Sequence, residues 1–125
     1  MIHRAEILMK LPSLNEVIYA NRQSKYLAAS MKNKLEAEIS WYLLKLRPIK
    51  NPVKIHCTWV EKTAKRDADN IIAGGKKYIL DALVSTGVLP DDSQKWVKGF
   101  TDIIQKGEDW KIILEIEELE EEVES

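Results

Sequence analysis

The chain has 125 residues, 45% of them hydrophobic and 31% charged, with a formal net charge of −1. That is one domain's length, too apolar and too mixed in charge for a wholly disordered polymer, and enough to bury a core without staples. A single cysteine and two widely spaced histidines, His3 and His56, exclude an internal disulfide framework and a cysteine- or histidine-based structural zinc site.

In chain order, residues 2–9 (IHRAEILM) mix apolar and polar positions and predict an edge strand. Leu11-Pro12-Ser13-Leu14-Asn15 reads as a loop, because Pro and Asn favour turns. Leu27, Met31, Leu35, Ile39, Tyr42 and Leu46 then recur every three or four residues, the apolar stripe of a helix that Pro48 and Pro52 end. Val53, Ile55, Cys57 and Trp59 alternate with Lys54, His56 and Thr58, the pattern of a half-buried strand. On it, Cys57 reads as a core residue and His56 as an exposed one.

Residues 70–84 predict a second helix with Ile72, Ile79, Leu80 and Leu83 on one face, although Gly74-Gly75 counts against it. Residues 95–105 and 109–117 flank a short glycine-containing loop and predict an antiparallel hairpin. Trp41, Trp59, Trp96 and Trp110 all lie on periodic segments, so most read as core. The order β-α-β-α-β-β predicts an α/β (α+β) fold, a small mixed sheet with two helices packed on it. Residues 1–119 form the expected domain, and 120–125 an acidic tail.

The small net charge hides an asymmetry. Seven glutamates stand among residues 115–125. Residues 1–114 then hold 19 basic against 13 acidic residues, a net +6. A basic body suits a polyanionic partner. No apolar run reaches the roughly 18 residues of a membrane span, and the first residues lack the apolar region of a secretory signal. The expected setting is a reducing cytoplasm.

The densest polar segment, Lys62-Thr63-Ala64-Lys65-Arg66-Asp67-Ala68-Asp69-Asn70, joins the predicted strand to the second helix. Asp67 and Asp69 alternate, so an extended backbone points both carboxylates the same way. Like charges this close repel unless a cation or proton lies between them. Hard divalent ions such as Mg²⁺ use oxygen ligands of this kind together with water and substrate phosphate. Lys62, Lys65 and Arg66 flank the pair with cations that suit a phosphodiester. If Asp67 and Asp69 converge with Asp91 or Asp92, the three carboxylates form a metal cluster able to activate water. Lys77, about two helical turns beyond Asn70, is placed to neutralise charge developing on a phosphate. The plainer alternatives are a helix cap at Asp69, turn residues at Asp91-Asp92 and an i,i+4 surface pair of Lys77 with Asp81.

The string Arg66-Asp67-Ala68-Asp69-Asn70, Lys77, Asp81-Ala82-Leu83, Gly87-Val88, Asp91-Asp92 resembles the RusA family of Holliday-junction resolvases, common in phages and prophages. The opening LPSLNEVIYANRQSKYLAASMK also looks like the start of phage members of that family. The likeness covers nearly the whole chain short of the acidic end. One departure stands out: the stretch from Asn70 to Asp81 is longer by about four residues, close to one helical turn. Spacing to Asp81-Ala82-Leu83 favours Lys77 as the family's lysine, with Lys76 the alternative.

The resemblance implies a homodimer that cuts four-way DNA junctions in recombination and repair. Mg²⁺, or Mn²⁺ in its place, would be held by Asp67, Asp69 and Asp92, with Asp91 in reserve. Asp67, Asp69, Lys77 and Asp92 would be the catalytic set, and water the nucleophile. DNA contacts would fall to Asn15, Arg22, Lys62, Lys65, Arg66, Asn70 and Lys76. Two other classes remain open: a less selective metal-dependent nuclease of flaps or single strands, and a non-catalytic DNA-binding protein.

Overall fold

The computed structural model describes residues 1–120. Along the chain run β1 (Ile2–Ile7), α1 (Leu14–Gln23), α2 (Lys25–Tyr42), β2 (Val53–Glu61), α3 (Ala68–Ser85), β3 (Val97–Lys106) and β4 (Lys111–Glu118). The fold is α+β: a four-stranded mixed sheet in the order β1-β4-β2-β3, with three helices. β4 is antiparallel to both β1 and β2, whereas β3 is parallel to β2 across the β2–α3–β3 crossover.

The two inner strands carry the strictest alternation. Val53, Ile55, Cys57 and Trp59 of β2 are buried beside Ile112, Leu114 and Ile116 of β4. Ile39 of α2, Leu43 at its end, and Ile71, Ile79 and Leu83 of α3 complete the same core. Each such side chain removed from water stabilises the fold by about 1.5–3 kcal/mol. Cys57 is part of this core, as expected, and burial pushes its thiol up to about 12. A thiol so raised is unreactive at neutral pH.

Three helices stand where two were expected. The Leu11–Asn15 loop is shorter than its composition implied, because a capping box starts α1. The Ser13 hydroxyl accepts from the Glu16 N–H while the Glu16 carboxylate accepts from the Ser13 N–H. α1 buries none of its residues, so no apolar stripe announced it. Ser24 is extended and separates the two helices, its hydroxyl capping α2 through the Tyr26 and Leu27 N–H groups. Leu27, the first residue of the expected stripe, is 55% exposed, and Leu46 lies beyond the helix end.

The expected hairpin is also replaced. β3 and β4 are antiparallel in direction, but β2 lies between them. The link from Lys106 to Lys111 crosses the end of β2, with the Gly107 N–H donating to the Glu61 carbonyl at 2.9 Å. A Cβ on Gly107 would lie 2.5 Å from the Val60 side chain, so only glycine passes there. Two strand spacings are about 9.6 Å, within reach of a loop this short, so loop length did not distinguish the two pairings.

Gly74 explains the glycine pair that weakened the helix prediction. A Cβ there would meet the Pro12–Leu14 backbone at 2.3–2.4 Å. The missing side chain lets α3 lie directly against the start of α1.

Glu115, Glu117 and Glu118 belong to β4, which runs one residue past the expected strand. Glu117 meets His56, which is half-buried, and Glu118 meets His3, each at 2.9 Å. Of the expected tail, residues 121–125 lie outside the described residues.

Candidate active site

The end of β2, the 62–67 loop and the start of α3 are held together by Arg66. Its Nε and Nη2 donate to the two oxygens of Glu61, each at 2.8 Å, and its Nη1 donates to the Leu11 carbonyl at 2.7 Å. Glu16 of α1 adds a carboxylate oxygen 3.6 Å from Nη1. Glu61, at 6% exposure, holds the guanidinium pKa above its ordinary value against the opposing effect of burial. Sequence reasoning placed Arg66 on DNA. Its short contacts instead engage the fold. Glu61 and Glu16 were missed because one reads as an ordinary strand end and the other as a solvated helix charge.

This clasp sets where the next residues emerge. Asp67 is the N-cap of α3, extended in backbone and making no side-chain capping bond, and Asp69 lies in the first turn. Both are exposed, and among the described residues neither has an ion-pair partner. Asp69 accepts only a local bond, from the Asn70 N–H at 3.0 Å. Asp67 borders a recess of about 190 Å³ together with Asn15, Lys65 and Asn70. The helix N-terminus adds positive potential at this point. Arg22 is exposed in the last turn of α1, outside that recess, and Lys62 sits beside Trp110.

The adjacent lysines of α3 have opposite surroundings. Lys76 points at the sheet, 13% exposed, and its Nζ donates to Asp102 of β3, which also accepts from the Trp59 indole at 2.9 Å. Its ammonium lies 4.2 Å from the centre of the Phe100 ring. Lys76 therefore offers no free charge to a polyanion. Asp102 was not foreseen, since its segment read as an apolar strand.

Lys77 is 67% exposed and bridges Asp81 and Asp92, 3.2 Å from each. The hydrogen bonds to Asp81, then to Asp92, raise its pKa and hold it charged. The i,i+4 pair with Asp81 is thus present, and Asp92 joins it. Asp91 accepts from the Asp92 N–H in a local turn.

The expected three-carboxylate cluster is not assembled. Among the described residues, no three of His, Cys, Asp and Glu stand close enough to share a metal ion. Lys77 lies about 12 Å along the helix axis from Asp69, and Asp92 pairs with Lys77. Asp69 lies in the first helical turn and not on an extended backbone, and Asp67 alone of the two lines the recess, which offers one carboxylate to a hard divalent cation of the kind that keeps several waters and takes one or two carboxylates plus phosphate. This arrangement does not fit an ion enclosed by protein.

No protein-family model matches the chain, and no curated protein matches it. No helix among the described residues is long and apolar enough to cross a membrane.

Proposed function

We propose that the chain is a Mg²⁺-dependent endodeoxyribonuclease of the RusA kind, acting on branched DNA and resolving four-way junctions. The observation that carries this reading is that Asp67 and Asp69 are exposed and, among the described residues, without ion-pair partners, with Asp67 bordering a recess shared by Asn15, Lys65 and Asn70. These two carboxylates would hold Mg²⁺, or Mn²⁺, whose contribution is Lewis-acid chemistry at a phosphate. Asn15 and Asn70 have side-chain N–H groups to place the phosphodiester oxygens, and Lys65 adds a flexible cation. Lys77 keeps its proton through contact with Asp81 and Asp92 and offers a positive charge on the same helix.

The preference for junctions, a role in recombination and repair, phage or prophage origin and action in a bacterial cytoplasm rest on the sequence resemblance. A homodimer suits paired cuts in a two-fold substrate. The unburied helix α1 supports it, with Ile18, Tyr19, Tyr26 and Leu27 exposed around the α1–α2 joint. That Asp92 forms no cluster with Asp67 and Asp69 among the described residues favours one second reading, a DNA-binding protein that does not cut.

The test is cleavage with Mg²⁺ of a four-way junction, a flap and a plain duplex by the wild type and by Asp69→Asn. Junction-selective cutting that Asp69→Asn abolishes, with DNA binding retained, is expected. Equal cutting of flap and junction selects the less selective nuclease. Binding without cutting selects the second reading.

A further inference from the structure

Trp110 has no part in that site. It immediately precedes β4 in the link that crosses the end of β2, and it borders a groove of about 720 Å³. Two ammonium groups face its ring, Lys10 Nζ at 4.7 Å and Lys62 Nζ at 5.4 Å from the centre. Neither lysine has a carboxylate partner among the described residues. The Trp110 Nε1–H is covered yet has no acceptor among the described residues. A covered donor without a partner is costly, and a nearby ligand oxygen would relieve that cost.

The groove is not isolated. Lys10 also borders a second recess, and Glu16 is common to that recess and the one at Asp67. The three are neighbours, and Lys34 and Lys65 border the two beyond the aromatic, together with Glu16 and Glu38.

We propose that Trp110 is a stacking platform for an unpaired DNA base, with Lys10 and Lys62 moving from the ring to the flanking phosphates. The inference rests on the nuclease reading for its choice of DNA, and it names the part of the substrate that this groove takes. Stacking on an aromatic face needs a base out of its pair, because an intact duplex presents only base edges and backbone. A single-stranded flap supplies such bases, and a four-way junction does so where the pairs at its exchange point open. Glu108 and Asp109 also border the groove against Lys10, Lys62 and Lys111, and Lys111 is paired with Glu6. The local charge is nearly balanced, so recognition falls on the base face more than on the backbone.

The experiment measures binding of a short labelled oligothymidylate and of a blunt duplex without divalent ion, so that no cutting occurs. Trp110→Leu is expected to weaken oligothymidylate binding about five- to 150-fold, while Trp110→Phe stays near wild type. Duplex affinity should stay within about twofold for both, since the duplex offers no free base. Oligothymidylate should also quench wild-type tryptophan emission, and Trp110→Phe should lose that quench while still binding. This second readout does not need Trp110→Leu to fold. Unchanged oligothymidylate binding by folded Trp110→Leu overturns the proposal. So does a quench that survives in Trp110→Phe, or an equal loss on duplex and single strand. The nuclease reading fails separately: a wild type that binds oligothymidylate through Trp110 but cuts no DNA in Mg²⁺ keeps the platform and loses the nuclease.

Discussion

Replacing Arg66 tests whether this residue holds the fold or contacts DNA. Arg66→Met keeps the length and apolar stem of the side chain but removes its two bonds to Glu61 and one to the Leu11 carbonyl. Glu61 is 6% exposed, so its carboxylate is left buried and unpaired. Breaking one partner of such a pair costs about 3–5 kcal/mol. A domain of this size is stable by about 5–15 kcal/mol, so the variant loses a large share of its stability. At about 3–5 °C per kcal/mol for this length, Tm falls by about 10–25 °C. Urea and thermal unfolding followed by far-UV circular dichroism give the number. Adding Glu61→Leu removes the orphaned charge, and the double variant should recover most of the loss. Well below its Tm, Arg66→Met should bind DNA nearly as well as the wild type. A loss under about 1 kcal/mol, or a double variant no better than the single one, refutes the clasp.

Three further outcomes follow from the same geometry. Lys77→Ala should slow single-turnover junction cleavage with little change in stability, whereas Lys76→Met should lower stability by about 1–3 kcal/mol by stripping the partner of Asp102; the reverse order means that the family's lysine is Lys76. Gly74→Ala should destabilise the chain and loosen α1, because its Cβ would meet backbone rather than a flexible side chain; hydrogen exchange of the α1 amides reads this. Burial raises the Glu118 carboxyl, but bonds from His3 and from the Lys50 and Asn51 backbone outweigh it and hold the pKa below 4.5. A depressed folded pKa contributes stability that is present above about pH 4.5 and lost as pH falls through the folded value. Acid unfolding of Glu118→Gln should lack that part of the pH dependence.

Much was legible from local pattern. The alternation in β2 identified that strand as half-buried, because a side-chain period of two needs no knowledge of the partner strand. Asp67 and Asp69 stood out because charges crowded at a strand-to-helix junction are unusual in either element, and Lys77 and the Asp91-Asp92 pair by their spacing from that junction. The tertiary structure decided everything that depends on which segment lies beside which. It inserted β2 between β3 and β4, since a short glycine link fits either pairing and only the closing sheet selects one. It drew Arg66 inward, because Glu61 and the Leu11 carbonyl come from segments whose approach no spacing encodes. It turned two adjacent lysines to opposite surroundings, since the 100° step of a helix sends one toward the sheet and its neighbour toward solvent. The carboxylates were therefore readable one by one. Their separation into a pair at the start of α3 and a lysine-bound Asp92 farther along it was set by packing, which distributes charges according to the nearest available partner.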